Sequence, residues 1–270
     1  MTGTGTSADP YIVGTWAELK TAMETAGAYV ELGGDIDLNS EYPEGVPNIA
    51  FQCTSLDGKG HTLKNIYSTG SVFSQSRNKA AAVSNLNIAD FYIQGGKLFS
   101  LSQSTTGGSF TASNLTISGE IYNGSFAHNY HIYPNFDSCS INLYLSGTSY
   151  LQSDDYRLRF SRSRVHLSGN ISSSKLVNAQ LLLINSELTG KVESSAATCV
   201  LSLENSSTSS VIDAELPGFT KVFYTGTNPV LINADKTGSA ELSANLIQAT
   251  QEQMTDAQWL HDQGFPVGVN

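Results

Sequence analysis

Four of the five arginines of this 270-residue chain fall within eight residues: Arg157, Arg159, Arg162 and Arg164, with His166 two further on. Arg157 and Arg159 alternate with Leu158 and Phe160, so in a strand they share one outward side. After a one-residue shift, Arg162, Arg164 and His166 do the same against Val165 and Leu167. A guanidinium fork can pair a carboxylate with two parallel hydrogen bonds. The cluster is therefore a candidate subunit interface or anionic-ligand contact. The plainer reading beside it is a charged outer face balanced by acids on neighbouring strands.

Other residues that could do chemistry point to structure. Asp154 and Asp155 are the adjacent acids of the central chain, but neighbours in one strand face opposite ways, and glycoside cleavage needs two carboxylates on one groove. Asp35 and Asp37 share a face, as a calcium site would need, yet Asp-Ile-Asp-Leu is also an ordinary half-buried strand. His128 and His131 have no carboxylate neighbour and make a poor metal pair. The Gly58-Lys59-Gly60 loop is too short to cradle a phosphate. The expectation is no catalytic residue, no metal and no cofactor.

Composition narrows the class. Twenty-four acids against 14 lysines and arginines give a formal net charge of -10, which argues against nucleic acid as a partner. Hydrophobic residues make up 40%, with 12 tyrosines and 11 phenylalanines, and predict a packed interior. Cys53, Cys139 and Cys199 are odd in number and far apart, so buried free thiols are expected. No apolar run reaches the roughly 18 residues of a membrane span, and the start at Met1 lacks a basic, apolar leader. Synthesis in the cytosol without the usual export signal follows as an expectation, and with it the sequon at Asn114 carries no message.

The elements that must position these residues are short strands. Thr15 and Glu18 have capping-box spacing, Trp16, Leu19, Ala22 and Met23 fall on one face, and Gly27 is a natural stop. A lone amphipathic helix ahead of strands predicts a lid over the open end of a stack. Leu56 to Ile66 reads as a turn-and-strand unit, with Leu63 and Ile66 inward and glycines for the turn. A degenerate string, aliphatic then Ser or Thr then Gly, recurs with glycines at 119, 147, 169 and 190, steps of 28, 22 and 21. Strands precede it at Asn114–Ile117, Ser140–Leu143 and Arg164–Leu167, with Asn85–Ile88 upstream and Val211–Leu216 downstream. Such periods predict an all-β, right-handed parallel β-helix, with a β-sandwich as the second choice. Residues 1–50 would form an N-terminal cap, 51–245 the body, and 246–270 a C-terminal cap or docking tail. In that tail Thr255 could start a short helix, and Trp259, Leu260, Phe265 and Pro266 could dock on a partner.

Asp9 to Val13, the helix, Leu32 to Leu38 and Leu56 to Leu63 together resemble the N-terminal cap and first coils of pectate-lyase-like β-helix proteins. The likeness is greatest to the non-enzymatic ones of bacterial surface adhesins and tailed-phage virions. The Met-Thr-Gly-Thr-Gly start and Gly-Phe-Pro-Val-Gly ending resemble a phage structural protein more. Gln152 to Asp155 resembles one of four short polygalacturonase motifs, and the other three are missing. The resemblance implies a homotrimer on a bacteriophage particle, as a capsid-decorating, head-fibre or tail-associated protein. It would be made in the host cytoplasm, released by lysis, bound to other virion proteins and to a host-surface glycan. The alternatives it carries are a polysaccharide lyase or hydrolase and a bacterial adhesin module.

Overall fold

The computed structural model describes residues 1–38, 41–75, 80–102, 108–130, 132–153 and 157–169. Beyond these it describes 250, 252–253 and the strands and helix named below. Strand β1 (Tyr11–Val13) and helix α1 (Trp16–Met23) open the chain. A coil of three strands follows, β2 (Tyr29–Leu32), β3 (Ile36–Asp37) and β4 (Ile49–Ala50), then one of four, β5 (Ser55–Asp57), β6 (Thr62–Lys64), β7 (Tyr67–Ser68) and β8 (Ser71–Gln75). The next three coils are β9 (Ala81–Ser84), β10 (Asn87–Gln94) and β11 (Lys97–Ser102), then β12 (Gly108–Ser113), β13 (Thr116–Tyr122) and β14 (Ser125–Tyr130), then β15 (Ile132–Asp137), β16 (Ser140–Ser146) and β17 (Tyr150–Ser153). Two more are β18 (Arg157–Ser161), β19 (Arg164–Gly169) and β20 (Lys175–Leu176), and β21 (Gln180–Ile184), β22 (Glu187–Thr189) and β23 (Glu193–Ser194). Then come β24 (Val200–Glu204), β25 (Lys221–Thr225), β26 (Leu246–Gln248) and helix α2 (Ala257–Asp262).

Every ladder between these strands is parallel, and each coil from β2 to β23 gives one side to each of three sheets. Sheet 1 runs β1-β2-β5-β9-β12-β15-β18-β21-β24-β25-β26, sheet 2 runs β3-β6-β10-β13-β16-β19-β22 with β7 beside β10, and sheet 3 runs β4-β8-β11-β14-β17-β20-β23. The chain is a parallel β-helix, as its period predicts.

Inward side chains stack along the axis. Rings follow one another from Trp16 to Phe73 at 6.0 Å, Phe73 to Phe99 at 5.7 Å, Phe99 to Phe136 at 5.6 Å and Phe136 to Phe160 at 5.5 Å. Such pairs each add about 0.5–1.5 kcal/mol beyond area burial. The phenylalanines with described side chains fill the interior as composition predicts, whereas the tyrosines do not. No tyrosine with a described side chain is buried.

The corners explain why the coils keep register. Between sheets 1 and 2 the left-handed residue is Asn85, then Asn114, Ser138 and Arg162, with φ from 50 to 56. Each of the first three donates its N–H to the next coil, to Ser113, Asp137 and Ser161 carbonyls at 2.9–3.0 Å. Side chains add a second ladder: Asn114 Nδ2 donates to Asn85 Oδ1 at 3.2 Å, and Asn85 Nδ2 to Asp57 Oδ1 at 3.1 Å. Asparagine tolerates this conformation better than most residues, which suits Asn85 and Asn114 to it, and one coil earlier Gly58 donates its N–H to the Ser84 carbonyl from the matching place.

α1 behaves as predicted. Thr15 Oγ1 accepts from the Glu18 N–H at 3.2 Å, and Trp16, Leu19, Ala22 and Met23 are buried. Glu18 departs from a reciprocal box: Oε2 accepts from the Gly14 N–H at 2.9 Å while Oε1 pairs with the N-terminal ammonium. The helix closes the near end of the interior. Trp16 Nε1 donates to the Pro47 carbonyl at 3.2 Å, and the Met23 carbonyl accepts from Gln52 and Cys53. An antiparallel bridge from Thr2 to Ile12 lies along β1, the first strand of sheet 1.

The glycine string is corrected. Gly119 stands mid-strand in β13 opposite Phe91 and Leu143, Gly147 turns a corner at φ 64, and Gly169 ends β19 opposite Leu145. The three are not equivalent positions. Likewise Asn114–Ile117 sits two residues out of step with Ser140–Leu143, because Thr116 pairs with Ser140 and Ile117 with Ile141. Gly190, Val211–Leu216 and Cys199 lie outside the described residues, as do His131, Asp154, Asp155 and Thr255.

Candidate functional site

The outer face of sheet 2 carries the candidate site, and a backbone irregularity makes it. In β10, Ala89 and Asp90 together face a single residue of β13, since Ile88 pairs with Ile117 and Phe91 with Gly119. Asp90 takes the extra place at φ 53. A bulge of this kind re-aims the side chains around it. One coil earlier Asn65, at φ 57, makes the matching break between β6 and β7. β13 has no such break, so the face steps between β10 and β13. The Phe91 ring turns inward over Gly119, where a Cβ would lie 2.5 Å from its atoms.

The step leaves an open groove of about 450 Å³. Asp90, Ser118 and Asn142 form one wall, and Tyr92, Glu120, Tyr144 and Ser168 the other. The second wall is a register column, Tyr67–Tyr92–Glu120–Tyr144–Ser168, one residue per coil. Tyr67 and Tyr92 stack with centroids 6.1 Å apart and planes 8° from parallel. Tyr144 is 47% exposed and the neighbouring Tyr122 37%. Among large hydrophobic side chains of the described residues, only Met1 and Ile12 are comparably exposed.

The two carboxylates of the groove differ in their ties. Glu120 Oε1 accepts from Ser146 Oγ at 3.1 Å, whereas Asp90 is exposed and makes no hydrogen bond or ion pair among the described residues. Burial pushes the Tyr92 hydroxyl up from its ordinary pKa, and the negative charge of Glu120 adds to it. Most other acids of the near coils are engaged in the scaffold. Asp35 accepts from the Thr62 N–H at 2.9 Å, Asp37 from Asn65 Nδ2 at 2.7 Å, and Asp57 from the Lys59 N–H at 2.9 Å. Asp35 and Asp37 therefore behave as the half-buried strand reading expects.

The arginine cluster is divided by a corner. Arg159 is exposed on sheet 1, where its Nε donates to Ser161 Oγ at 3.2 Å, and Arg157 opens the same strand with its Cα opposite Gln180. Arg164 and His166 are exposed on sheet 2, with Cα partners Ser140 and Glu187, and Asn142 and Thr189. Arg162 is the corner residue itself. It forms a two-pronged ion pair with Asp137 of the preceding coil, Nε to Oδ1 at 2.9 Å, and that carboxylate raises its pKa. The balanced-charge reading holds for Arg162. Arg164 and His166 sit one coil beyond Tyr144, at the far end of the groove.

Trp259 is half-buried in α2, where Gln258 Nε2 donates to Asp262 Oδ1 at 2.8 Å. The Leu260 side chain, Phe265 and Pro266 lie outside the described residues. His128 is half-buried in β14. No group of three metal-ligating side chains occurs among the described residues, and no described helix is long and apolar enough to cross a membrane. Cys53 and Cys139 are free and buried, as expected, and burial pushes their thiols up to about 12 and about 11.

Sequence reasoning missed the groove. Its signals were present as Tyr67, Tyr92 and Tyr144 at coil spacing, and as the aspartate and asparagine interrupting two alternating strands at Asp90 and Asn65. Both needed the register to be read.

No protein-family model matches the chain, and no curated protein matches it. One solved structure is similar in shape, a protein of Bacteroides ovatus provisionally assigned as an immunoglobulin A1 protease. It is 15% identical with a TM-score of 0.43, over 97% of this chain and 90% of that one.

Proposed function

We propose that this chain is a non-enzymatic, rigid β-helical protein of a bacteriophage particle, capsid-decorating, head-fibre or tail-associated. In this reading it is a homotrimer that meets a host-surface glycan through the outer face of sheet 2. The observation that carries the contact role is the column of outward tyrosines interleaved with Glu120 beside an open groove. Flat rings with polar groups at their margins suit a ligand of apolar faces and hydroxyl edges. The virion setting rests on the resemblance of the Met-Thr-Gly-Thr-Gly and Gly-Phe-Pro-Val-Gly strings to phage structural proteins, and the β-helix class on that of residues 9–63. Mass spectrometry of purified particles tests it, with light scattering expected to give three times the 28.8 kDa chain mass. A monomer in solution together with absence from particles would overturn it.

One observation favours a second reading. Asp90 and Glu120 face the same groove from neighbouring strands, as a glycoside-cleaving pair must. The acid of such a pair needs a desolvated carboxyl, and Asp90 stands exposed at its bulge. New reducing ends from a capsule polymer, lost in Asp90→Asn, would establish that reading instead.

A further inference from the structure

We infer that the groove on sheet 2 takes a glycan chain bearing a positively charged amino group, held at the end lined by Asp90 and Glu120. The inference rests on the glycan-contact reading and names the ligand's charge.

The argument begins with what the face lacks. β10, β13 and β16 are each paired on both sides apart from the break at Ala89 and Asp90, so an extended peptide finds no free edge to pair with. Recognition falls chiefly to side chains. Tyr92 and Tyr144 lie two strands apart in one column, roughly 10 Å by strand spacing. That is about the span of a disaccharide, with Glu120 between them.

Charge then selects among glycans. The groove walls hold two carboxylates and no cation. Asp90 has no hydrogen-bond or ion-pair partner among the described residues, and it stands exposed at the bulge with φ 53. An ammonium group between Asp90 and Glu120, against the face of Tyr92, would gain charge-assisted hydrogen bonds and a cation–π contact together.

The test uses the whole protein with a glucosamine hexamer, its N-acetylated counterpart and hexalysine as probes in calorimetric titrations. Asp90→Asn suits it because asparagine keeps the left-handed bulge, and circular dichroism checks the fold of each variant. The expected result is binding of the amino oligomer at least tenfold tighter than the acetylated one. That preference should be lost in Asp90→Asn and Glu120→Gln, while Tyr144→Ala weakens both oligomers. Equal binding of both oligomers overturns the charge inference and leaves the glycan contact standing. Binding of hexalysine as tight as the amino oligomer, unchanged in Tyr144→Ala, overturns the glycan class. No binding of either oligomer overturns the inference, with particle association still judged separately by mass spectrometry.

Discussion

At Gly96 a Cβ would lie 1.9 Å from the Gly70 carbonyl oxygen, and at Gly124 it would lie 2.5 Å from that of Gly96. These glycines are stacked from coil to coil, and the obstacle is backbone. Gly96→Ala is expected to cost more than about 2 kcal/mol, the range of mutations that force a packed backbone apart. Gly60 is different: φ is +82 but nothing lies within 4 Å, so Gly60→Ala should cost only about 1–2 kcal/mol, the left-handed penalty of an L-residue. Urea unfolding of the two variants measures the contrast, and equal midpoints would refute it. The thiols make a second prediction. A folded thiol that keeps its proton while the unfolded one ionises near 9.0 makes stability fall as pH rises from about 9 toward about 12. The thiols of Cys53 and Cys139 should resist alkylation at pH 8 until the chain unfolds. Burial of Cys53 and Cys139 was legible from cysteine count and spacing, but the roles of the glycines were not. Gly96 and Gly119 matter for what stacks against them, and neighbouring coils are invisible in a linear string.

The helix and the strands that face the core were legible because their periods are local. Trp16, Leu19, Ala22 and Met23 fall at helical spacing, and the Thr15 cap was written beside them. Thr15→Ala should lower stability by about 1 kcal/mol, through loss of the bond to the Glu18 N–H. Phe99 touches Phe73, Phe110, Phe126 and Phe136. Phe99→Ala should cost about 3–5 kcal/mol, since rings above and below cannot close the gap without breaking ladders. Thermal denaturation of both variants checks the ranking. The tyrosine column was not legible for a reason of register. Tyr67, Tyr92 and Tyr144 align only once the breaks at Asn65 and Asp90 are counted, and a bulge shifts the outward set by one residue.

A solenoid answers stress coil by coil, because each coil contacts chiefly its neighbours. Strand length varies along it: β3 and β4 are two residues each, whereas β10, β13 and β16 run seven or eight. Native-state hydrogen exchange should therefore show protection greatest from β10 to β16 and falling toward β3 and β4, and uniform protection would contradict this. Short alternating strands separated by polar turns every 20–30 residues carried the architecture, although the glycines that marked the period are not equivalent positions. What the period could not carry was which outer side holds the groove, because all three sheets alternate alike. The short rungs also have a mechanical consequence. The ladder bonds point along the axis, so tension between the two ends loads the rungs in series, and a series chain parts at its weakest link. Among the described coils from β2 to β19, a lengthwise pull gives way first at β3 and β4, and the tyrosine face on β10 to β16 stays whole while the end beside it lets go.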